Sequence, residues 1–162
     1  MTLENLAKTL EALKTAESRF LIAGGLAVIA HGHSRVTHDL DIVLALDPDN
    51  TRKAIDALTS LGFRPRLPVA AADFSDPEKR RTWIETKNLQ VFSMISERLD
   101  GFVINIFAEE PFDFENEWHA AIQKSLPGLP SSYHFVSKQT LRKMKEAAGR
   151  AIDLDDLKNL AD

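Results

Sequence analysis

The chain has 162 residues, of which 44% are hydrophobic and 27% charged, and its formal net charge is −4. This composition is typical of a folded globular protein, and the length allows one domain with a sizeable core but not two ordinary domains. The chain has no cysteine to form a disulfide, and its acidic balance argues against indiscriminate nucleic-acid binding, which depends on a basic surface.

Two further features bear on the compartment. Residues 1–6 lack the basic and then apolar regions of a secretory signal. No apolar run approaches the roughly 20 residues that are needed to span a bilayer. We therefore expect a cytoplasmic protein without membrane contact.

The first half of the chain predicts alternating helices and strands. Apolar residues recur at helical spacing near the N-terminus, and short aliphatic runs favour strands. An Asp-Pro pair then supplies the N-cap and first-turn proline of a helix that a glycine closes. In chain order, the predicted elements are a helix with Leu3, Leu6, Leu10 and Leu13 on its apolar face, a strand at 20–23, a helix at 26–31, a strand at 39–46 and a helix from Asp47 to Gly62.

The second half predicts an antiparallel hairpin between helices. Residues 89–95 and 102–107 are rich in strand formers and flank Asp100-Gly101, a good turn pair. Residues 63–72 contain two prolines and predict either an edge strand or a loop. The other predicted elements are helices from Asp76-Pro77, from Pro111 with Trp118 and Ile122 inward, from Ser137 to Ala148 and from Asp153, and a short strand at 133–136.

Together these elements predict an α/β (α+β) fold, a small mixed β-sheet flanked by helices. We expect a single domain over residues 1–162. Its core would lie at about 18–110, and a C-terminal helical part at about 111–162.

Two carboxylates on one strand are the first indication of a site. Side chains alternate faces along a strand, so Asp39 and Asp41 point the same way while Leu40 and Ile42 point the other. Two like charges fixed on one face are costly unless something neutralises them, and a divalent cation is the usual answer. The pair predicts a metal site; the structural alternative is that Asp39 caps the strand and Asp41 pairs with Arg35 or a lysine.

Gly24 and Gly25 lie between the first predicted strand and the short helix. Glycines let the backbone turn sharply and a ligand approach closely, and free N–H groups and the helix dipole favour an anion there. Phosphate beside a metal ion is the chemistry of nucleotide transfer. Gly24 and Gly25 are therefore candidate nucleotide-binding residues.

Gly24-Gly25, a short helix and then Asp39-Leu40-Asp41 resemble the signature of the DNA polymerase beta-like nucleotidyltransferase superfamily. The spacing of Arg35, Thr37 and the acidic pair is similar to its small bacterial members, the minimal nucleotidyltransferases and the abortive-infection type toxins of toxin-antitoxin systems. The resemblance implies a nucleotidyltransferase-like fold, with Asp39 and Asp41 as catalytic residues and ligands of Mg²⁺ (or Mn²⁺). Arg35 and Thr37 would meet a phosphate or simply hold the loop.

The C-terminal segment carries a second part of the resemblance. Lys145, Arg150, Asp153 and Asp156 match a recurring pattern of a lysine, Ala-Gly-Arg and an aspartate-rich helix start. Lys145 lies on a basic helix face that could hold the triphosphate tail of a nucleotide, which makes it a candidate nucleotide-binding residue. The alternative is a solvated charged face with Arg150 bonded to Asp153 or Asp156, and for Arg150 we favour that alternative.

In the superfamily, a third carboxylate on a later strand completes a site for two metal ions. The matching residue here is Asn105, which offers a carbonyl oxygen to Mg²⁺ but brings no charge and accepts no proton from a hydroxyl. Two functions stay open. The first is an enzyme that transfers a nucleoside monophosphate from a nucleoside triphosphate to a hydroxyl of an RNA, a protein or a small molecule, with a toxin-antitoxin or defence role and a partner protein implied by the resemblance. The second is a catalytically inactive binding or regulatory module.

Two other groups of residues predict weaker sites. His31, His33 and His38 lie across one loop without a fourth ligand at a recognisable spacing, so we expect surface or loop histidines rather than a zinc site. The basic run at residues 79–81, with Trp83, could contact RNA, but such a run on a helix is more often solvated.

Overall fold

The computed structural model describes residues 1–161. Within them the helices are α1 (Leu3–Thr15), α2 (Gly24–Ala30), α3 (Pro48–Ser60), α4 (Pro77–Lys87), α5 (Phe114–Ala120), α6 (Lys138–Ala148) and α7 (Ala151–Asn159). The strands are β1 (Phe20–Ala23), β2 (Asp39–Leu44), β3 (Phe63–Pro65), β4 (Val91–Ser96), β5 (Phe102–Phe107), β6 (Ile122–Ser125) and β7 (Ser132–Phe135). Each described helix is too short or too polar to cross a membrane.

The strands form one mixed sheet in the order β3-β4-β5-β2-β1-β7-β6. β2 lies at its centre, antiparallel to β1 and parallel to β5. β4 and β5 form the predicted antiparallel hairpin, and both residues of the turn, Asp100 and Gly101, have positive φ. The predicted fold class, a small mixed sheet flanked by helices, is confirmed.

Helix α1 shows how the predicted apolar faces form the core. Leu6, Leu10 and Leu13 are at most 3% exposed, whereas Leu3 is 51% exposed. Only three of the four predicted leucines therefore lie inward. Burial of each such side chain stabilises the fold by about 1.5–3 kcal/mol.

Side-chain caps set the helix starts that the sequence predicts. Asp47, Asp76 and Ser137 each accept a hydrogen bond from a backbone N–H in the first turn of α3, α4 and α6, respectively. A cap of this kind contributes about 1 kcal/mol. Gly149 adopts a left-handed conformation, with φ 64°, and ends α6 as predicted.

Two elements of the C-terminal part differ from the prediction. Ile122 does not lie on a helix, because α5 ends at Ala120 and the chain becomes extended; it begins strand β6 and pairs with Phe135 of β7. The last helix begins at Ala151 rather than at Asp153. Arg150 is its N-cap, and the Asp153 carboxylate accepts the Arg150 N–H at 3.0 Å, as a residue in the first turn can.

Residues 63–72 combine the two predicted alternatives. Phe63–Pro65 forms the edge strand β3, and an irregular segment follows it as far as Ala70. Proline is tolerated there because an edge strand leaves one row of N–H groups unpaired.

Candidate active site

A row of polar side chains crosses three strands of the sheet, beside Ala23 on a fourth. The register pairs Ala23 of β1 with Asp41 of β2, Asp41 with Asn105 of β5, and Asn105 with Ser93 of β4. Residues paired directly across strands share a face, so Asp41, Asn105 and Ser93 meet side by side. Asp39 lies two residues before Asp41 and shares that face; it is exposed, whereas Asp41 is half-buried.

Gly24 and Gly25 let the first turn of α2 lie directly against this row. Gly24 has φ +63°, and a Cβ there would lie 2.0 Å from Asp41 Oδ2. A Cβ on Gly25 would lie 2.0 Å from Arg35 Nη1 and 2.6 Å from Thr37 Oγ1. Because only glycine combines that φ with such close approaches, the Gly-Gly pair brings α2, the carboxylate and the loop before β2 together.

Asn105 is bonded to both of its neighbours in the row. Its Nδ2 donates to Asp41 Oδ1 at 2.9 Å, and its Oδ1 accepts from Ser93 Oγ at 2.6 Å. The amide orientation is assigned from this network. In this arrangement Asn105 turns a donor, not an oxygen ligand, toward Asp41, and the alternative pairing of Asp41 with Arg35 or a lysine is not what the structure contains.

Burial raises the pKa of Asp41 above its ordinary value. The Asn105 hydrogen bond lowers the pKa, the neighbouring Asp39 charge raises it, and the more distant Lys145 and Arg150 charges lower it. Burial disfavours the charged form of a carboxyl group, and so does a like charge. The hydrogen bond and the charges of the chain thus compensate only part of the cost of burying the Asp41 carboxylate.

Arg35 and Thr37 lie on the irregular segment that precedes β2. Arg35 Nε donates to Asp156 Oδ1 of α7 at 3.0 Å, and the side chain is 15% exposed. Thr37 Oγ1 donates to the Asp39 carbonyl oxygen over a long 3.4 Å. Both residues thus hold this segment, while they also border the cleft described next.

A cleft of about 510 Å³ lies between the sheet, this segment and the two last helices. This volume is in the range of small-ligand sites. The structure brings every residue predicted for the site to this one cleft: Gly24, Gly25, Arg35, Thr37, Asp39, Asp41, Asn105 and Lys145. Their roles in binding and catalysis stay predictions.

We call Gly24, Gly25, Asp39, Asp41 and Asn105 the cleft floor, and Lys145, Arg150, Asp153 and Asp156 the C-terminal wall. In the wall, Lys145 Nζ lies 3.3 Å from Asp153 Oδ1 and 2.8 Å from Asp156 Oδ2, the latter an ion pair without hydrogen-bond alignment. Arg150 donates to Asp153 at 2.8 Å, so the pairing favoured from the sequence is confirmed. Lys145 is only 4% exposed, and the basic helix face is therefore not fully solvated.

The pKa of the wall carboxylate Asp153 is shifted in the opposite direction to that of Asp41. Burial alone would raise the pKa of Asp153, but hydrogen bonds from the Arg150 side chain and backbone and from Lys145 outweigh it, and the pKa is lowered. The same pairing raises the pKa of Arg150. The wall is thus stabilised in its charged form by its own members.

Sequence reasoning missed Ser93, which fixes the Asn105 amide. Only the register of the β4–β5 hairpin reveals its role, since Ser93 lies 12 residues from Asn105. It also missed two exposed apolar residues at the cleft, Val36 and Ile152, which are 74% and 45% exposed. An isolated apolar residue in a loop or at a helix start carries no sequence signal for a site.

The floor fits a magnesium ion that is shared with a substrate. Within residues 1–161, no group of three or more His, Cys, Asp or Glu side chains is arranged to hold a metal ion. Mg²⁺, however, usually takes one or two protein carboxylates together with substrate phosphates and water. Asp39 and the Oδ2 atom of Asp41 fit that role, because Asn105 already bonds the other Asp41 oxygen.

Among the other groups singled out from the sequence, His38 is exposed and borders the cleft, whereas His31 and the basic run contact the rest of the fold. His31 Nε2 lies 2.9 Å from the Val136 carbonyl oxygen. In the basic run, Lys79 pairs with Asp73 and Arg81 with Glu78. Arg80 is 6% exposed and donates to the carbonyl oxygens of Phe74 and Leu46, so this run is partly buried rather than solvated.

No family model and no curated protein matches the sequence of the chain. Among solved structures, the chain is similar to the lincomycin-bound crystal structure of the lincosamide antibiotic adenylyltransferase LnuA. The TM-score is 0.65 and the sequence identity 16%, over 99% of this chain and 97% of that one. At this identity the likeness concerns the fold alone: the chain has a nucleotidyltransferase-like fold.

Proposed function

We propose that this protein is a nucleotidyltransferase that uses Mg²⁺ (or Mn²⁺) to transfer a nucleoside monophosphate from a nucleoside triphosphate to a hydroxyl group. The observation that supports this most is the cleft floor. There two carboxylates share one face with no cationic partner among residues 1–161, and Gly24 lies too close to Asp41 to carry a side chain. A fold that contains such a floor is suited to a metal-bound polyphosphate.

In the proposed reaction, the acceptor hydroxyl oxygen forms a bond to the α-phosphorus and its proton passes to solvent water. The bond from that phosphorus to the bridging oxygen breaks, and pyrophosphate leaves with the bonding electrons. A bound Mg²⁺ would stabilise the negative charge that develops on the phosphates. The chain's own contribution is to hold Asp39 and Asp41 on one face, to keep the approach at Gly24 and Gly25 open, and to present Arg35 at the cleft.

The wall residue Lys145 contributes in this proposal through its charge rather than through contact. Its Nζ is engaged by Asp153 and Asp156 and is almost fully buried. Lys145 nevertheless lies close enough to lower the pKa of Asp41, so it favours the charged form of that carboxylate.

For the acceptor we favour a small hydroxyl-bearing molecule over an RNA or a protein. The structural neighbour is an antibiotic adenylyltransferase crystallised with lincomycin, and the likeness spans almost the whole of both chains. The exposed apolar residues Val36 and Ile152 at the cleft suit a partly apolar ligand. The toxin-antitoxin role and a partner protein rest on the resemblance alone.

The test is calorimetric titration of the four nucleoside triphosphates with and without Mg²⁺. We expect Mg²⁺-dependent binding of at least one of them, and a loss of affinity of about 100-fold or more in Asp41→Ala, because charge-assisted contacts are strong in a desolvated site. Asp56→Ala is the matched control, since Asp56 is an exposed carboxylate of α3 away from the cleft. Nucleotide binding that depends neither on Mg²⁺ nor on Asp41 would contradict the proposal.

A second candidate function, a catalytically inactive nucleotide-binding module, is favoured by one observation. Asn105 donates a hydrogen bond to Asp41 at the position where the superfamily resemblance implies a third carboxylate. The site then holds a nucleotide but has no uncoordinated carboxylate to take the hydroxyl proton.

Asn105→Asp separates the two candidates. If the wild type shows no transfer to any acceptor and Asn105→Asp gains metal-dependent transfer, the protein is a degenerate enzyme. If the wild type is active and the variant gains nothing, the two-carboxylate floor is already complete. Release of pyrophosphate measures transfer by the wild type and by Asn105→Asp, and thermal unfolding shows whether the added charge has disturbed the fold.

A further inference from the structure

Five charged side chains form a continuous chain from the C-terminal wall to the cleft. In order they are Arg150, Asp153, Lys145, Asp156 and Arg35. Their signs alternate, and successive contacts measure 2.8, 3.3, 2.8 and 3.0 Å. The last contact joins residues that are 121 positions apart in the sequence.

The three inner members are almost fully buried, although Lys145 and Asp153 border the cleft. The side chains of Lys145, Asp153 and Asp156 are 5%, 1% and 4% exposed. Paired charges at this depth compensate one another, and removal of one partner leaves the others uncompensated. Because so little of their surface is exposed, they act on a bound ligand mainly through their charge and through the two end residues that they hold.

At the cleft end, Asp156 is the principal anchor of Arg35. Residues 33–38 have no regular secondary structure, and Arg35 Nη1 makes only a long 3.4 Å contact with the Val36 carbonyl oxygen. Within residues 1–161, Arg35 Nη2 has no hydrogen-bond acceptor. The guanidinium is thus fixed at Nε, its Nη1 lies beside Gly25, and the residue borders the cleft.

We propose that Asp156 is a positioning residue for nucleotide binding: it holds the Arg35 guanidinium against Gly25, so that its remaining N–H donors meet the triphosphate. This inference rests on the proposed function. An arginine that is already ordered loses less side-chain entropy when a ligand binds than one that must first be ordered. Lys145 then serves by holding Asp156, and not by touching phosphate.

Electrostatics alone predicts the opposite result when Asp156 is replaced. Removal of a negative charge near the cleft would strengthen the binding of a polyanion. The positioning role predicts weaker binding, because Arg35 is no longer held. The sign of the change in affinity therefore separates the two explanations.

The experiment is calorimetry of Mg·ATP and of inorganic tripolyphosphate with Mg²⁺ on Asp156→Ala, Arg35→Ala and the double variant. We expect Asp156→Ala to weaken both ligands about 5- to 10-fold, and to add less than about twofold in the Arg35→Ala background. Asp156→Asn keeps an acceptor for Arg35 Nε and should restore wild-type affinity. If Asp156→Ala does not fold, Asp156→Ser replaces it, since serine is polar but too short to reach Arg35.

Two neighbouring carboxylates provide matched controls of equal charge change. Asp155→Ala removes a carboxylate whose side chain is 77% exposed, and it should leave affinity unchanged or slightly increased. Asp153→Ala also deprives Lys145 of one partner but does not touch Arg35, so any effect it has should add to that of Arg35→Ala.

The outcomes are distinguishable. A wild type that binds Mg·ATP, with an Asp156→Ala variant that binds it equally well or more tightly, would overturn the positioning role and leave the proposed function intact. A loss of affinity caused by Asp156→Ala that is equally large in the Arg35→Ala background would also overturn the positioning role and leave the proposed function intact. A folded wild type that binds neither ligand would overturn both.

Discussion

The floor of the cleft and its C-terminal wall both carry buried or half-buried charges, but only the wall pairs them with one another. In the wall, Lys145 lies between Asp153 and Asp156, and Arg150 completes the set. On the floor, Asp39 and Asp41 have the same sign, and Asp41 has only the neutral Asn105 as a hydrogen-bond donor. Charges that satisfy each other stabilise the fold, whereas like charges held together at a cleft are suited to binding a cation.

The pKa values express the same contrast. Burial raises the pKa of Asp41, and the Asn105 hydrogen bond and the charges of Lys145 and Arg150 lower it too little to reverse that effect. Burial acts on Asp153 as well, but its partners reverse the effect and lower the pKa. The charge of Asp41 on the floor therefore costs stability, whereas the charge of Asp153 in the wall contributes stability.

Lys145→Met tests the wall most severely. The change leaves Asp153 and Asp156 without their shared cation in a buried place, so we expect a loss of about 3–5 kcal/mol in the free energy of unfolding. Chemical denaturation of the wild type and of Lys145→Met measures this loss. The control is Lys143→Met on the same helix, because Lys143 is exposed; it should change stability by less than about 0.5 kcal/mol. Equal effects of the two variants would mean that the buried ion pairs of Lys145 do not stabilise the fold.

Gly24→Ala tests the floor at its closest contact. The new Cβ would meet Asp41 Oδ2 at 2.0 Å and Asp41 Cβ at 3.1 Å, so the whole side chain must move, and the φ of +63° adds backbone strain. We expect a loss of about 2–3 kcal/mol in stability, together with loss of Mg²⁺-dependent nucleotide binding.

Gly101→Ala is the matched control for Gly24→Ala. Gly101 also has a positive φ, of 75°, but a Cβ there would meet nothing within 4 Å. It should therefore cost about 1–2 kcal/mol from backbone strain alone and leave nucleotide binding intact. Similar binding losses in both glycine variants would show that strain, and not the approach of Asp41, explains the effect.

The sequence predicts most elements because their causes are local. Caps at Asp47, Asp76 and Ser137 and the helical spacing of the first leucines need only a few neighbouring residues. Strand β6 was missed because its sequence, Ile-Gln-Lys-Ser, has one apolar residue, and it is a strand only by pairing with β7. The start of α7 was misjudged because Asp153 is a first-turn partner of the N-cap rather than the cap itself.

The candidate site likewise has a part that the sequence predicts and a part that only the tertiary structure reveals. The eight predicted residues meet at one cleft because a short strand-helix-strand unit, read from the sequence, already brings most of them together. The link from Asp156 to Arg35 and that from Ser93 to Asn105 depend on tertiary packing and on hairpin register. Neither is encoded in any local spacing.

Of the variants proposed to test this contrast, Asp41→Asn should change the free energy of unfolding least, but the direction of the change is the most informative. Asparagine keeps an oxygen for the Asn105 Nδ2 donor but removes the uncompensated charge, so the metal-free variant should be more stable than the wild type by about 1 kcal/mol at neutral pH. The pKa of Asp41 is raised in the folded state. Its contribution to stability is therefore complete below the unfolded pKa of about 3.9 and is lost as the pH rises through the folded pKa.

The advantage of Asp41→Asn should accordingly vanish below about pH 4 and appear as the pH rises. Thermal unfolding of both proteins between pH 3.5 and pH 7, in about 1 mM EDTA, measures the difference, and addition of Mg²⁺ with a nucleotide should stabilise only the wild type. A variant that is less stable than the wild type at pH 7 without metal would mean that the chain already compensates Asp41. The contrast between floor and wall would then be wrong, because the floor charge would belong to the fold as the wall charges do.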